Sequence, residues 1–216
     1  MRELKLFGPF GNLGYGGCSD EVWEKTMQWG PDAIFQQGTS SDPGPGYLGT
    51  GTCYADRAGI KHDMSRMISS ALDRRIPLVC SLGGGGGDQG LEWSIDIVDE
   101  IARTTGLTFR AAVIASDIDK EFIKKKLREG GTAEVLDPYS RLPKFLSPEM
   151  VDASRVIVAQ MGPEPIMKAL DSGVDMVFTG RANDTSLPMA LGLRHGFPRG
   201  LSLQMAKVVE CSGWAV

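Results

Sequence analysis

The amino-acid sequence predicts a three-layer, doubly wound α/β fold with a mainly parallel sheet of about six strands. Short apolar segments alternate with longer segments of helical periodicity, which is the pattern of strands joined by crossover helices. Glycine and short polar residues follow most of the apolar segments, as they do where parallel strands end at a binding crevice. The 216 residues, 42% of them apolar, suffice for one sizeable core. We therefore expect a single α/β domain over residues 1–216.

Six segments have the apolar, β-branched composition of strands that are buried on both faces of a sheet. They are, in chain order, Leu4–Phe7, Asp32–Phe35, Ile76–Leu82, Phe109–Ala115, Arg155–Ala159 and Asp175–Phe178. Because strand and helix alternate, the strands are expected to run parallel through crossover helices rather than to form hairpins.

Helical periodicity fills the segments between these strands. The predicted helices are 19–29, 57–74, 91–105, 118–129, 163–172 and 183–194, with a last one near 202–213. Acidic residues in Asp117–Glu121 favour a helix start, and Gly130 and Gly131 favour its end. Pro163 suits the first turn of the next helix. The segment Thr132–Met150 has no periodicity, so it is predicted to be a surface excursion, either a lid or a linker.

Charge and hydropathy exclude two classes of partner. The 23 basic and 27 acidic residues give a net charge of −4 without a basic cluster, so nucleic acid is not an expected partner. No apolar run has the length that crosses a bilayer, and the N-terminus carries no charged and then apolar leader. We therefore expect a cytoplasmic protein without a membrane partner.

The cysteines do not form a metal-binding pattern. They are Cys18, Cys53, Cys80 and Cys211, and no two of them form a Cys-x-x-Cys pair. Only His62 and His195 could complete a ligand set, so a zinc site is not expected. Cys80 lies inside an apolar segment, where a thiol packs as a small hydrophobic side chain.

Five consecutive glycines, Gly83–Gly87, follow the apolar segment Ile76–Leu82 and precede a helical segment. Each glycine in regular structure costs about 0.5–1 kcal/mol relative to alanine, so the run suggests a backbone that another group approaches closely. No lysine follows where a phosphate-binding P-loop requires one, and the dinucleotide fingerprint is matched only trivially. A turn without a ligand is the alternative. The sequence favours a binding loop for something other than a nucleotide.

Polar residues follow other predicted strands as well. Because the carboxyl ends of parallel strands line one crevice, these residues are expected to converge with the glycine run on one site. The candidate substrate-binding residues are Thr39, Ser40, Ser41, Gly84, Gly85, Gly86, Asp88, Gln160, Asn183 and Asp184. In this arrangement Gly83–Gly87 lie close to Asp42 and Arg181.

Asp42, Asp117 and Arg181 are the candidate catalytic residues. Arg181 can hold a carboxylate or phosphate through two parallel hydrogen bonds, although a salt bridge to Asp184 or Asp175 would explain it equally well. Asp42 lies in a stiff loop of prolines and glycines, and Asp117 follows a strand, so either carboxylate could move a proton. Stabilisation of a helix start is the alternative role of Asp117.

No cofactor motif is identified. Oxygen ligands for a divalent cation could nevertheless come from strand-end carboxylates, so a metal-assisted hydrolase is a further hypothesis. The carboxylates in question are Asp42, Asp88, Asp117, Asp119, Glu164 and Asp184. For Asp88 and Glu164, as for Asp117, a first-turn helix acid is the alternative.

Six segments carry a family resemblance. They are residues 37–49, the glycine run after Cys80, residues 114–119, 157–165 and 180–184, and Lys207–Cys211. Together, in order and over nearly the whole chain, they resemble the acyclic terpene utilisation AtuA-like family. The resemblance implies the N-terminal half of a longer architecture. It also implies action on a branched acyl-CoA or its acid, as a lyase or hydratase, and it supplies no agreed catalytic residue.

Two main hypotheses follow. In the first, the chain is a catabolic enzyme of lyase or hydratase type that binds a small-molecule carboxylate or acyl-CoA at the carboxyl ends of the strands. The sequence shows no nucleophile–base pair and no redox-cofactor motif, either of which would indicate a different chemistry. In the second, the chain is a non-catalytic binding or assembly subunit, completed by a C-terminal half or a partner chain, with an interface around Trp214. A homo-oligomer or a partner subunit is expected.

Overall fold

The computed structural model describes residues 3–136, 141 and 143–211, and five strands and nine helices lie in these ranges. The strands are β1 (Leu6–Phe7), β2 (Ala33–Gln36), β3 (Leu78–Ser81), β4 (Ala111–Ile114) and β5 (Met176–Thr179). The helices are α1 (Asp20–Trp29), α2 (Gly46–Thr50), α3 (Arg57–Arg74), α4 (Asp88–Thr105), α5 (Lys120–Arg128), α6 (Pro148–Ala153), α7 (Pro163–Asp171), α8 (Ser186–Arg194) and α9 (Arg199–Val209).

The five strands form one parallel sheet in the order β1-β2-β3-β5-β4. The last strand in sequence, β5, lies between β3 and β4, so the strand order reverses there. Ligands of doubly wound folds bind in the crevice outside the carboxyl ends of the strands at such a reversal. The parallel sheet and its crossover helices confirm the predicted fold class.

Alternate residues of the central strands face opposite sides of the sheet, and helices cover both sides. Ile34, Leu78 and Phe178 pack with residues of α1, α3 and α4. Val79 and Val177 pack with residues of α7 and α8. All five side chains are fully buried. Burial on both sides explains the continuous apolar composition from which the strands were predicted.

The predicted strand Arg155–Ala159 is wrong. The only pairing of this segment is an isolated antiparallel bridge of Val158 to Asp117, within the described residues. The N–H of Ile118 donates to the carbonyl of Ile157, and the N–H of Ala159 donates to that of Ser116, both at 2.8 Å. The segment therefore pairs with the loop that follows β4, beyond the end of the strand, and has no long ladder to join. In the part of the chain that the structure describes, the sheet has five strands rather than about six.

Two short helices, α2 and α6, were not predicted because five or six residues are too few to show a helical period. Helix α4 begins at Asp88, three residues before the predicted start, and α9 begins three residues before its own. The last predicted helix also includes residues that lie outside the described part of the chain. Trp214 lies outside it too. None of the helices that the structure describes is both long and apolar enough to cross a membrane.

The predicted excursion Thr132–Met150 is partly described. Glu134 and Phe145 form an antiparallel bridge, and the hydroxyl of Ser147 accepts a hydrogen bond from the N–H of Met150 at the start of α6. Residues 137–140 and 142 lie outside the described part. The described residues thus form a short antiparallel pairing that leads into a capped helix. A role of this segment as a lid stays a prediction.

Candidate functional site

The glycine run and Arg181 meet at the carboxyl end of the sheet because they follow the neighbouring strands β3 and β5. The N–H of Arg181 donates to the carbonyl of Gly86 at 2.8 Å. A Cβ atom at Gly86 would lie 2.7 Å from the Cα atom of Arg181. The predicted proximity of these two elements is confirmed.

The glycine run is packed tightly against the protein's own chain. A Cβ atom at Gly84 would lie 2.9 Å from the Cα atom of Cys53, and one at Gly85 would lie 2.7 Å from that of Leu48. These positions therefore require glycine because α2 and the residues after it cover the run. The N–H groups of Gly85 and Gly87 have no backbone acceptor among the described residues.

The side chain of Arg181 is buried with incomplete compensation of its charge. It is 5% exposed, and its Nη2 atom lies 3.6 Å from Oδ1 of Asp184. Its Nη1 atom is buried and has no hydrogen-bond partner among the described residues. The other predicted counter-ion, Asp175, instead accepts a hydrogen bond from the N–H of Arg110 at 2.8 Å. Part of the guanidinium is therefore left without an anion.

Asp184 connects the end of β5 to the end of β2. Its Oδ1 atom accepts a hydrogen bond of 2.7 Å from Nε2 of Gln37, which also donates to the carbonyl of Thr39. Burial raises the pKa of Asp184, the charge of Arg181 opposes that shift, and the carboxylates of Glu210 and Asp42 add to it. Asp184 is thus a carboxylate beside a cation, and it loses its proton at a higher pH than an ordinary aspartate does.

The residues after β2 have mainly structural contacts. Thr39 is fully buried, pairs with Gly84 and donates its hydroxyl to that of Ser81 at 3.1 Å. The N–H of Ser40 donates to the carbonyl of Gly84, and its hydroxyl accepts from the N–H of Asp42. Ser40 therefore links Asp42 to Gly84. Asp42 itself has no hydrogen bond to the glycine run among the described residues.

Ser41 and Asp42 belong to the turn that precedes α2. The carbonyl of Ser41 accepts from the N–H of Gly44 at 2.9 Å, and both Ser41 and Asp42 are exposed. The charge of Asp42 is close enough to raise the pKa of Asp184. The structure therefore brings Asp42 toward Asp184 rather than into contact with Gly83–Gly87.

Asp88 and Asp117 bind each other's backbone. Oδ1 of Asp117 accepts from the N–H of Asp88 at 2.9 Å, and Oδ1 of Asp88 accepts from the N–H groups of Ser116 and Asp117 at 2.8 and 3.1 Å. The hydroxyl of Ser116 donates to the carbonyl of Gly86. These contacts tie the start of α4 to the end of β4, so they favour the helix-start alternative for both carboxylates.

Gln160 precedes Met161, whose N–H donates to the carbonyl of Arg181 at 3.3 Å and whose carbonyl accepts from the N–H of Asn183 at 3.0 Å. Oδ1 of Asn183 accepts from the N–H and the hydroxyl of Thr185 at 3.2 and 2.7 Å, just before α8. Gln160 is exposed. Neither side chain has a hydrogen bond to Arg181 among the described residues.

The strand-end carboxylates do not converge on a cation site. Asp119 caps α5, and Glu164 pairs with Arg199 at 3.1 Å. Among the described residues, no group of three or more histidine, cysteine, aspartate and glutamate side chains has an arrangement that could hold a metal ion. Asp119 and Glu164 therefore serve a helix start and an ion pair instead.

Two further polar groups, one close to Asp184 and one close to Arg181, were missed from the sequence. Glu210 is 7% exposed, pairs with Lys207 and influences the pKa of Asp184. The hydroxyl of Tyr54 donates to Oδ1 of Asn12 at 3.0 Å, and burial raises the pKa of this tyrosine, an effect that the charge of Arg181 opposes. In the sequence, the only signal for the pair of Lys207 and Glu210 is its place in the family-like segment Lys207–Cys211.

Replacement of Asp117 by asparagine tests whether that side chain is structural. Burial raises the pKa of Asp117, so its contribution to stability is complete below the unfolded value, about 3.9, and is lost as pH rises through the folded-state pKa. Asparagine keeps the acceptor for the N–H of Asp88 but cannot ionise. We expect Asp117→Asn to fold and to lose less stability than the wild type as pH rises.

Urea denaturation at a series of pH values measures this difference. Parallel stability profiles of the two proteins would contradict the expectation. Lost turnover together with parallel profiles would assign Asp117 to catalysis instead.

Comparison with known proteins places these elements in a family. A family model described as acyclic terpene utilisation family protein AtuA matches residues 33–215, which include the glycine run, Arg181 and Asp184. A search of curated proteins and a search of solved structures each found no match. The family name denotes a role in the use of acyclic terpenes, which is broadly catabolic. Because the match covers most of its length, the chain belongs to the AtuA family of acyclic terpene utilisation proteins.

Proposed function

We propose that the protein is a catabolic enzyme that binds an organic acid or acyl thioester through Arg181 and the amides of the glycine run. The observation that carries the proposal is the buried Nη1 atom of Arg181, which has no hydrogen-bond partner among the described residues. A carboxylate or a thioester carbonyl would supply the acceptor that this atom lacks.

The energetics of burial support an anionic ligand. A buried cation is costly unless it is paired and hydrogen-bonded, and the pair with Asp184 is long at 3.6 Å. A carboxylate can accept two parallel hydrogen bonds from a guanidinium, which are among the stronger hydrogen bonds in proteins. The N–H groups of Gly85 and Gly87, on either side of the glycine that contacts Arg181, would add neutral donors.

Asp184 is the best placed carboxylate for proton transfer. It lies beside Arg181, its pKa is raised, and it is held by Gln37. In lyase or hydratase chemistry, a base removes the proton next to the substrate carbonyl. The electron pair left on that carbon then forms a double bond as the substituent on the neighbouring carbon departs. Arg181 would stabilise the negative charge that develops on the carbonyl oxygen.

Calorimetric titration with paired ligands tests the anion site. Short-chain and branched carboxylates are compared with their uncharged amides, and acyl-CoA esters with free CoA. We expect carboxylates to bind more tightly than amides, and Arg181→Met to weaken carboxylate binding by about 10–100-fold, the effect of a charged hydrogen bond of about 1.5–3 kcal/mol.

Arg181→Lys is the matched control, because lysine keeps the charge but loses the two-pronged geometry. It should retain part of the affinity that Arg181→Met loses. Equal binding of carboxylates and amides by the wild type would sink the anion site. Unchanged turnover in Asp184→Asn, measured with any ligand that is converted, would remove Asp184 from the chemistry.

A second candidate is a non-catalytic assembly subunit. Helix α9 favours it, because Leu201, Leu203 and Val208 expose much of their apolar side chains on that helix. Such exposure is typical of surfaces that another chain covers. Light scattering with candidate partners distinguishes the two, since a ligand-competent protein that stays monomeric counts against the assembly role.

A further inference from the structure

We infer that a second copy of this chain docks at the β4 edge of the sheet, inserting its helix α5 into a groove between α4 and β4. This groove, the edge groove, is lined by Leu91, Glu92, Ile95, Asp96, Val113 and Ala115 together with Asp88, and its volume is about 270 Å³. The inference concerns a surface separate from Arg181 and does not depend on the proposed function.

The floor of the edge groove is apolar and uncovered. Strand β4 pairs with β5 on one side, and within the described residues no strand pairs with its other side. Val113, in register with the fully buried Phe178, is 52% exposed. Strands of parallel sheets are normally covered on both faces, so an exposed valine in this position indicates a surface that another element covers.

One rim of the edge groove is acidic. Glu92 and Asp96 are one helical turn apart on α4, so they lie on the same side of the helix. Neither carboxylate has an ion pair among the described residues. A partner that covers this groove therefore needs an apolar group for Val113 and positive charge for the rim.

Helix α5 has both properties. None of its residues is fully buried, and Phe122 is 55% exposed. Lys126 lies 5.8 Å from the centre of the Phe122 ring. Lys125 and Lys126 share a single carboxylate, that of Glu129, at 3.8 and 2.9 Å. The helix thus presents an aromatic ring flanked by positive charge in excess of its own acidic partners.

A second copy is the occupant that this complementarity favours. Every chain carries both the edge groove and α5, so a two-fold axis would form the contact twice, once in each direction. The Phe122 ring of each copy would cover Val113 of the other, and Lys125 and Lys126 would approach Glu92 and Asp96. An exposed ring that becomes buried is the kind of residue that dominates interface energies.

Sedimentation velocity over a range of protein concentrations tests the inference. We expect a dimer in the wild type and a weakening of its dissociation constant by about tenfold or more in Phe122→Asp and in Val113→Asp. Val22→Asp is the control, because Val22 is 52% exposed on α1, away from β4. This variant should dimerise like the wild type.

A charge exchange separates docking from misfolding. Glu92→Lys with Asp96→Lys should dissociate the dimer, and adding Lys125→Glu with Lys126→Glu should restore it, because the two reversals recreate the opposite charges. A wild type that is monomeric at all concentrations would overturn the inference. So would a dimer that survives Phe122→Asp, or one that the first charge reversal leaves intact.

Discussion

Gly86→Ala is expected to destabilise the protein by about 3 kcal/mol and to abolish carboxylate binding. The backbone of Gly86 has φ +85°, in a region that costs an alanine about 1–2 kcal/mol. The added Cβ would also meet the Cα atom of Arg181 at 2.7 Å, and overpacking of this kind typically costs about 1–3 kcal/mol. Because the obstacle is backbone, it can move away only by displacing Arg181.

Gly106→Ala separates the two contributions to that cost. Gly106 has φ +70°, and no atom lies within 4 Å of the position that its Cβ would take. Denaturant unfolding should therefore show only the smaller backbone cost for Gly106→Ala. Equal destabilisation by the two substitutions would mean that the contact between Gly86 and Arg181 is looser than the structure shows.

Asp184→Ala is expected to destabilise the fold by about 2 kcal/mol and to make its stability depend on added carboxylate. Removal of one partner from a buried ion pair costs about 3–5 kcal/mol, and the smaller figure allows for the partial exposure of Asp184. The variant leaves Arg181 without its counter-ion. Acetate or formate could then occupy the vacated position and stabilise the folded state by binding to it alone.

Thermal unfolding with and without acetate measures this rescue. Sodium chloride at the same ionic strength controls for general salt effects. We expect acetate to raise the midpoint of Asp184→Ala more than that of the wild type. The double variant Arg181→Met with Asp184→Ala should show no rescue, since it contains no charge to compensate. Rescue of the double variant would assign the acetate effect to another site.

The contact between Arg181 and the glycine run could be predicted only in part. Ile76–Leu82 and Asp175–Phe178 are apolar enough to be identified as buried strands, and residues after parallel strands share one end of a sheet. That β5 lies directly beside β3 depends on the crossover through α5, α6 and α7, which no local pattern specifies. The ends of the strands were therefore predictable, and the order of the strands in the sheet was not.

The purpose of the five glycines could not be predicted from their own segment. A glycine run indicates close approach, and the sequence favoured a ligand as the approaching group. In the structure Cys53, Leu48 and Arg181 approach Gly84, Gly85 and Gly86 in turn. These contacts join residues far apart in the chain. The same limitation explains Arg155–Ala159, whose apolar composition resembles a strand although, within the described residues, its backbone pairs with a loop.

The position of β5 has a consequence for how the chain folds. Strands β3 and β4 do not touch each other, because β5 separates them and pairs with both. During synthesis, both of these edges stay open until residues 176–179 have left the ribosome. The sheet is thus completed from its middle, by β5, and the emerging chain carries two unpaired β edges while the residues between β4 and β5 are made.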